Sequence, residues 1–294
     1  MLRLDRLATL YFFHPFRRCR FSGDSDIPIL MYHKISDTPE RKAHPYYWTA
    51  TSPAIFADHM RFLKEQNYTT ISLQDALSRI ESKSSIPSRE VVVTFDDGYE
   101  DFYIHAFPTL SMNGFTATMF LPTSFIGKTS KRFNDADCLT WSEVRELSRA
   151  GIEFGSHTVT HPQLRTLKPQ AIRNEVRGSK ATIEEELGSS VKSFAYPYAL
   201  PEADKEFKRR MRDILQEEGY DHGVSTAIGS LDRNGDRFFM KRLPVNSADD
   251  RRLFRAKLAG GYGWLHSCQY AWKAMGGLIQ RRSPATKVLF PLSK

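Results

Sequence analysis

The segment Val91-Val92-Val93-Thr94-Phe95-Asp96-Asp97-Gly98 joins an apolar run to two carboxylates and a glycine. The first five residues are mostly β-branched and apolar, which predicts a buried strand. Gly98 permits a sharp turn directly after the two aspartates. Neighbouring residues at such a turn point in different directions, so each carboxylate can have its own role. Ordinary solvated turns carry the same residues, so the motif alone does not establish a functional site.

Strands and helices alternate on both sides of this stretch, and Ser52 and Ser72 are expected N-caps. Apolar runs predict further strands at residues 27–32, 117–121, 152–154, 191–196, 222–226 and 240–245. Amphipathic spacings predict helices at residues 52–67, 72–80, 102–113, 140–150, 169–187 and 205–218. This alternation favours a parallel sheet covered by helices, and about seven or eight such units favour an α/β barrel over an open sheet.

The bulk composition fits one large domain with an appendage at each end. The 294 residues are 40% hydrophobic, which is enough for one substantial core. We expect an N-terminal arm over residues 1–26, a barrel over residues 27–250 and a C-terminal tail over residues 251–294. The net charge of +8 is concentrated in the tail, which has nine Lys or Arg and no Asp or Glu.

The basic tail indicates either an anionic partner surface, such as membrane lipid, or a solvated segment kept soluble by its charge. Nucleic acid is not expected as the partner. An apolar helix face is predicted there, which could lie in an anionic membrane interface or pack on the barrel. Its members recur at three- and four-residue steps: Leu265, Cys268, Trp272, Met275 and Ile279.

Cysteine usage and hydropathy bear on the compartment. Cys19, Cys138 and Cys268 are far apart and odd in number, so neither a disulfide framework nor a cysteine-rich zinc site is expected. Neither a membrane-spanning run nor a clear secretory signal is visible, so we expect a cytoplasmic or peripheral membrane location.

The segment His157-Thr-Val-Thr-His161 places two imidazoles four residues apart, after a predicted strand. On a helical turn they would face the same way and could bind one metal ion. The spacing arises by chance in about one chain in four with this many histidines, so it is weak alone. With one of the two aspartates it gives a set that suits Zn²⁺ and also Fe²⁺, Ni²⁺ or Co²⁺. The other aspartate could then accept a proton from water.

A third segment, Phe194-Ala-Tyr-Pro-Tyr198, follows another predicted strand. Aromatic rings suit the face of a sugar, and backbone N–H groups there could stabilise an oxyanion. Ordinary core aromatic residues would give the same pattern.

Taken together, Thr94-Phe-Asp-Asp-Gly98, Ser156-His-Thr-Val-Thr-His161 and Phe194-Ala-Tyr-Pro-Tyr198 resemble the polysaccharide deacetylase family, the NodB-homology domain of carbohydrate esterase family 4. Leu139-Thr-Trp141 also looks like this family, and the resemblance spans roughly residues 27–245. It implies a distorted (β/α) barrel that hydrolyses acetamido groups on a glycan with the help of a divalent metal.

The resemblance also implies roles for individual residues. Asp96 would be the catalytic base. The expected metal ligands are Asp97, His157 and His161. The expected substrate and oxyanion contacts are Pro197, Tyr198, Tyr196 and Trp141, with the backbone N–H of Tyr198 in the oxyanion hole.

Two departures from the family pattern concern the groups that assist the base and protonate the product. Ala195 stands where the family usually has an arginine that orients the base, and Arg242 in a late strand could replace it. The usual late histidine, the general acid, is not evident. Ile29-Leu-Met-Tyr-His33, however, resembles the opening of a circularly permuted subgroup that includes poly-N-acetylglucosamine deacetylases, which makes His33 the expected acid.

The expected function is therefore metal-dependent N-deacetylation of an N-acetylhexosamine-containing glycan, such as an exopolysaccharide, or of a lipid-linked sugar precursor. One alternative is an inactive glycan-binding relative, because the motif arginine is missing. Another is a non-haem iron oxygenase, because two histidines and one carboxylate can also hold iron.

Overall fold

A computed structural model of the chain describes residues 3–15, 26–38, 44–82 and 89–266. The strands are β1 (Ile29–Tyr32), β2 (Lys34–Ile35), β3 (Ala50–Thr51), β4 (Thr69–Thr70), β5 (Glu90–Phe95), β6 (Thr118–Leu121), β7 (Arg132–Phe133), β8 (Ala136–Asp137), β9 (Glu153–Ser156), β10 (Ser193–Ala195), β11 (His222–Ile228) and β12 (Met240–Pro244). The α-helices are α1 (Leu4–Ala8), α2 (Pro53–Glu65), α3 (Leu73–Glu81), α4 (Phe107–Asn113), α5 (Trp141–Arg149), α6 (Pro169–Leu187), α7 (Lys205–Glu217) and α8 (Arg251–Leu258).

Seven parallel strands close into a barrel. Their order is β1-β12-β11-β10-β9-β6-β5, and β1 pairs again with β5 to complete the ring, while β4 lies beside β5. The register of the closing pair places Tyr32 opposite Phe95. The predicted α/β barrel is therefore confirmed, and β5, which contains Val91–Phe95, is one of its seven strands.

Alternation along the strands divides their side chains between two buried apolar clusters. One cluster joins Ile29, Val92, Phe120, Val224 and Met240, which come from five strands around the ring. Side chains from all round a closed ring can meet only inside it, so this cluster fills the barrel interior. The intervening residues join the larger cluster beneath the helices.

Local sequence explains where the helices begin. The hydroxyl groups of Ser52 and Ser72 accept hydrogen bonds from the backbone N–H groups of Ile55 and Asp75, which confirms both as N-caps. Thr140 and Glu143 form a reciprocal capping box at the start of α5. These caps fix the helix starts within one residue of the predicted positions.

Residues 251–258, assigned to the tail by sequence, form α8, whose Leu253, Phe254 and Leu258 are buried in the main core. Most of the predicted apolar helix face of the tail lies outside the described residues, although Leu265 packs against the core. Among the described residues, none of the helices combines the length and the apolarity that crossing a bilayer requires.

Candidate metal centre

The carboxyl ends of β5 and β9 bring one carboxylate and two imidazoles together. Oδ1 of Asp97 lies 3.5 Å from Nε2 of His157 and 3.3 Å from Nε2 of His161. The three possible ligand atoms all lie within 4.8 Å of one another, and among the described residues these are the ones that form such a group. The structure therefore brings together the three ligands that the family resemblance implies.

The surroundings of these atoms fit a divalent metal ion. Nδ1 of His157 lies 2.8 Å from the carbonyl oxygen of Ala195, which assigns the proton to Nδ1 and leaves Nε2 as a lone-pair donor toward Asp97. Oδ1 of Asp97 is buried and has no hydrogen-bond donor among the described residues. A buried carboxylate oxygen without a donor is costly, and a cation at this point would satisfy it.

The turn after β5 has an unusual backbone conformation and packs tightly against its neighbours. Asp97 adopts a φ of 75° and Gly98 a φ of 63°, both in the left-handed region. A Cβ at Gly98 would lie 2.9 Å from Cδ2 of Leu121, so the position accepts glycine and little else. Strained backbone of this kind is concentrated at functional sites in proteins.

The two histidines are not on a helical turn, which corrects the interpretation from their spacing. Residues 157–163 form an irregular loop in which Thr158 has a φ of 70° and His161 a φ of 55°. The reversal of the chain, rather than helical periodicity, brings the rings to a centroid separation of 4.7 Å. The two rings do lie close together, as the spacing predicted, but the helical geometry predicted for them was wrong.

Glu175 of helix α6 holds this loop. Its carboxylate accepts hydrogen bonds from the backbone N–H groups of Val159 and Thr160, both at 2.8 Å, and from the hydroxyl of Thr160 at 2.7 Å. Sequence analysis missed Glu175, since it is one of several glutamates on a helix and carries no distinguishing signal.

Arg242 binds Asp96, the other carboxylate of the pair. Its Nη1 and Nη2 donate to Oδ1 and Oδ2 of Asp96, each at 2.7 Å, while its Nε donates to the carbonyl oxygen of Ser225 at 3.0 Å. Nη1 also reaches Oγ1 of Thr94 at 3.2 Å. Burial by itself would raise the pKa of Asp96, but the charge of Arg242 outweighs it and holds the pKa below its ordinary value. Asp96 is therefore a buried, ionised carboxylate of fixed orientation.

His33 follows β1 and faces the same carboxylate. Its Nε2 lies 3.8 Å from Oδ2 of Asp96, and its side chain is partly exposed to solvent. This distance is longer than a hydrogen bond, so the two side chains are neighbours without a direct hydrogen bond.

Aromatic residues form part of the rim. The ring of Tyr198 is 49% exposed and lies 4.8 Å from the ring of His161, and Pro197 precedes it as a buried residue. Phe133, in the hairpin β7–β8, contacts His161 from another side at 5.0 Å. Sequence analysis missed Phe133, because the hairpin lacks an apolar run.

Two of the expected substrate contacts are not at the surface of the site, which corrects that expectation. Tyr196 is fully buried and stacks on Phe239, and Trp141 is almost fully buried at the start of α5. Both belong to the core beneath the helices. Tyr196 is thus a core residue, which is the alternative that the sequence left open for residues 194–198.

Comparison with known proteins agrees with this geometry. A family model described as polysaccharide deacetylase matches residues 83–223. The protein YxkH of Bacillus subtilis (strain 168) is 27% identical over 230 residues, which cover 78% of this chain and 75% of YxkH. The poly-beta-1,6-N-acetyl-D-glucosamine N-deacetylase of Staphylococcus aureus (strain MSSA476) is 24% identical over 237 residues, which cover 74% of this chain and 78% of that enzyme.

A solved structure shows the same fold. The Streptococcus pyogenes deacetylase PplD in complex with acetate gives a TM-score of 0.69 at 23% identity, over 80% of this chain and 99% of that one. The matched family segment contains the double aspartate, both loop histidines and the segment ending at Tyr198. The resemblance drawn from sequence is thereby confirmed, and the chain is similar to the polysaccharide deacetylase family.

Proposed function

We propose that the protein is a metal-dependent hydrolase that removes N-acetyl groups from a glycan containing N-acetylhexosamine and releases acetate. The observation that carries this proposal is the pair of adjacent carboxylates with separate surroundings. Asp97 faces two imidazoles, whereas Asp96 faces Arg242 and His33. Hydrolysis of an amide needs an electrophile for the carbonyl and a base for water, and the site offers a place for each.

Asp97, His157 and His161 are proposed to hold the metal, with Zn²⁺ the first choice and Co²⁺, Ni²⁺ or Fe²⁺ as alternatives. A divalent cation held there supplies Lewis-acid polarisation of the acetamide carbonyl and makes water more acidic. Three protein ligands are the number found in catalytic zinc sites, so these residues would leave the ion open to at least one further ligand.

Asp96 is proposed as the general base that accepts the proton of the attacking water. Arg242 occupies both oxygens of Asp96 from one side, so the free lone pairs point toward the side where His33 lies. Arg242 does not touch the reacting atoms in this proposal and acts as a positioning residue.

His33 is proposed as the general acid that donates a proton to the departing sugar nitrogen. Without that proton the amine would leave as an amide anion, which is a very poor leaving group. The backbone N–H of Tyr198 is proposed to stabilise the oxyanion, and the exposed ring of Tyr198 to contact the sugar.

Acetate release from β-1,6-linked N-acetylglucosamine oligomers tests the proposal, since the Staphylococcus aureus relative is named for that glycan. Metal-loaded wild type should release acetate, and chelation should abolish the release. Asp96→Asn should retain the metal and lose at least about a hundredfold in rate. Asp221→Asn, an exposed aspartate away from the centre, is the matched control and should keep the wild-type rate.

Retention of metal without acetate release from any of several glycans would contradict the proposal. Tight glycan binding in that case would instead favour a binding protein. Consumption of oxygen and a 2-oxo acid by the iron-loaded protein would favour an oxygenase.

The basic tail is proposed to contact anionic membrane lipid, which would place the enzyme at the membrane periphery and near a lipid-linked sugar. Residues 267–294 contain five Lys or Arg and no acidic residue. Arg281→Gln with Arg282→Gln should then weaken binding of the full chain to anionic vesicles, and unchanged binding would contradict this part.

A further inference from the structure

The N-terminal helix has its polar side chains inside and its large apolar side chains outside. It runs from Leu4 to Ala8 as α1 and continues as a wider helical turn through Thr9–Phe13. Asp5 and Thr9 are buried against the barrel. An amphipathic helix on the surface of a soluble protein normally buries its apolar side and exposes its polar side. Here the two sides are exchanged.

Specific contacts fix that orientation. The hydroxyl of Tyr262 donates to Oδ2 of Asp5 at 2.8 Å, and the indole N–H of Trp264 donates to Oγ1 of Thr9 at 3.0 Å. Nη1 of Arg3 donates to the carbonyl oxygen of Ala248 at 3.1 Å. The helix therefore cannot roll its apolar side chains inward without breaking buried hydrogen bonds, which is costly.

The outward face is correspondingly apolar. Of nine exposed large hydrophobic residues in the described part of the chain, five belong to this helix. Leu4, Tyr11 and Phe12 are 67%, 65% and 62% exposed, respectively. Single exposed apolar residues are normal, but a group of this size on one helix indicates an apolar partner. We call Leu4, Leu7, Tyr11, Phe12 and Phe13 the outer face.

The chain segments that follow the outer face and its neighbour Trp264 in sequence are basic. Residues 16–25, which follow the helix in sequence, contain three arginines and one aspartate. The ring of Phe13 stacks on that of Trp264 at 4.6 Å, so the basic residues 267–294 also follow directly from this place. Leucine and aromatic side chains flanked by arginine match the interface of an anionic bilayer. A second copy of the chain fits less well, because like charges would meet across such a contact.

We propose that the outer face inserts into the headgroup region of an anionic membrane and docks the protein there. The outer face is also linked to the rim of the candidate centre, because Trp264, which stacks on Phe13, is two residues from His266. Nε2 of His266 pairs with Glu202 at 2.6 Å, and Glu202 is in the loop that follows Tyr198. Docking would hold the rim of the site beside the lipid, where a membrane-attached glycan would be within reach. Only this last consequence rests on the proposed function.

Binding of the full chain to vesicles tests the docking directly. Wild type should sediment with phosphatidylcholine vesicles containing about 30% phosphatidylglycerol and much less with phosphatidylcholine alone. Leu4→Ser, Tyr11→Ser and Phe12→Ser together should weaken binding about tenfold or more, because they remove apolar area and no charge. Ile104→Ser with Met112→Ser, two exposed residues elsewhere, is the matched control and should bind as wild type does.

A second measurement reports insertion itself. Tryptophan at position 12, in Phe12→Trp, should shift its emission to shorter wavelength with anionic vesicles, whereas Met112→Trp should not. Wild-type binding by the triple serine variant would overturn the proposal. Conversion of a dimer to a monomer by that variant, without any vesicle binding by wild type, would also overturn it and assign the outer face to a second copy. Acetate release from a soluble glycan is independent of both outcomes, so failure of the docking is distinguishable from failure of the proposed catalysis.

Discussion

Arg242 holds Asp96 through both of its terminal nitrogens, each 2.7 Å from a carboxylate oxygen, although 146 residues separate the two in sequence. The contact is supplied by β12, and Ala195 of β10 leaves the corresponding position without a charge. A planar guanidinium fork fixes the plane of a carboxylate as well as its charge. The closed barrel thus brings a guanidinium of β12 onto the carboxylate that follows β5.

Replacing Arg242 should separate the effects of charge and orientation. Arg242→Lys keeps a cation but cannot pair with both oxygens of Asp96, so kcat should fall about tenfold to a hundredfold with little change in KM. Arg242→Gln leaves a buried carboxylate unpaired and should reduce the free energy of unfolding by about 3–5 kcal/mol. Steady-state kinetics and urea unfolding measure the two effects. A kcat for Arg242→Lys equal to that of wild type would show that the orientation is irrelevant.

Glu175 should control metal affinity without touching the metal. Glu175→Ala removes three hydrogen bonds to the loop that carries both histidines, and the dissociation constant for the metal should rise about tenfold to a hundredfold. Glu175→Gln keeps an acceptor and should recover part of the loss. Competition with a chelator measures the constant, and Glu185→Ala on the exposed side of α6 serves as the control. Equal affinities in Glu175→Ala and Glu185→Ala would refute the positioning role.

Metal removal should destabilise the folded protein. A ligand that binds only the folded state at a hundred times its dissociation constant adds about 2.7 kcal/mol of stability. Chelation should therefore lower the Tm of wild type, and readdition of Zn²⁺ should restore it. Asp97→Asn should show no metal-dependent change in Tm, because the carboxylate with the unpaired oxygen is gone. A full metal-dependent shift in that variant would place the metal elsewhere.

The role of His33 depends on the leaving group. His33→Ala should lower kcat on an ordinary acetamide about a hundredfold or more, since the amine must be protonated as it leaves. The loss should shrink on an N-acetylated aniline whose amine is a much better leaving group. Comparison of the two substrates in wild type and variant gives the result. An equal loss on both would assign His33 to binding or to packing near Asp96.

The barrel was predictable because its signals are local. Apolar runs such as Val91–Phe95 and caps such as Ser72 act within a few residues, and the alternation of strands and helices favours a parallel barrel. Most helix boundaries agreed for the same reason, although the helix predicted at residues 102–113 begins as a wider π-helical turn over Phe102–Ala106 before α4. The packing of α8 on the barrel was not predicted, because Leu253 and Phe254 lie among basic residues that suggested an exposed tail.

Long-range geometry limited the prediction of the site. The candidate ligands were predictable because their residue types are distinctive. The loop conformation at Thr158 and His161 involves Glu175, which no local pattern reveals. Tyr196 was wrongly expected to contact the substrate. Successive side chains along a strand point to opposite faces, and the sequence motif does not show which face Tyr196 lies on. The contact of Arg242 with Asp96 was a hypothesis that only the closed barrel could place in space.

His222 should make the folded protein sensitive to mild acid. Burial at the start of β11 lowers the pKa of His222 from 6.5 to about 4, with the nearby charges of Asp221 and Arg237 acting in opposite directions. In the unfolded chain His222 is therefore protonated near pH 6.5, whereas in the folded protein it is protonated only near pH 4. The stability that neutral His222 supports is complete above pH 6.5 and is lost as the pH falls toward 4.

His222→Leu removes the proton site while keeping an apolar side chain of similar size. Urea unfolding of both proteins between pH 7.5 and 4 isolates the contribution of His222, since the carboxylates titrate equally in both. The wild type should lose on the order of 3 kcal/mol relative to the variant over this interval, because one pKa unit corresponds to about 1.4 kcal/mol. Parallel stability curves would mean that His222 gains a proton in the folded state near its ordinary pKa, which requires solvent access that its burial denies.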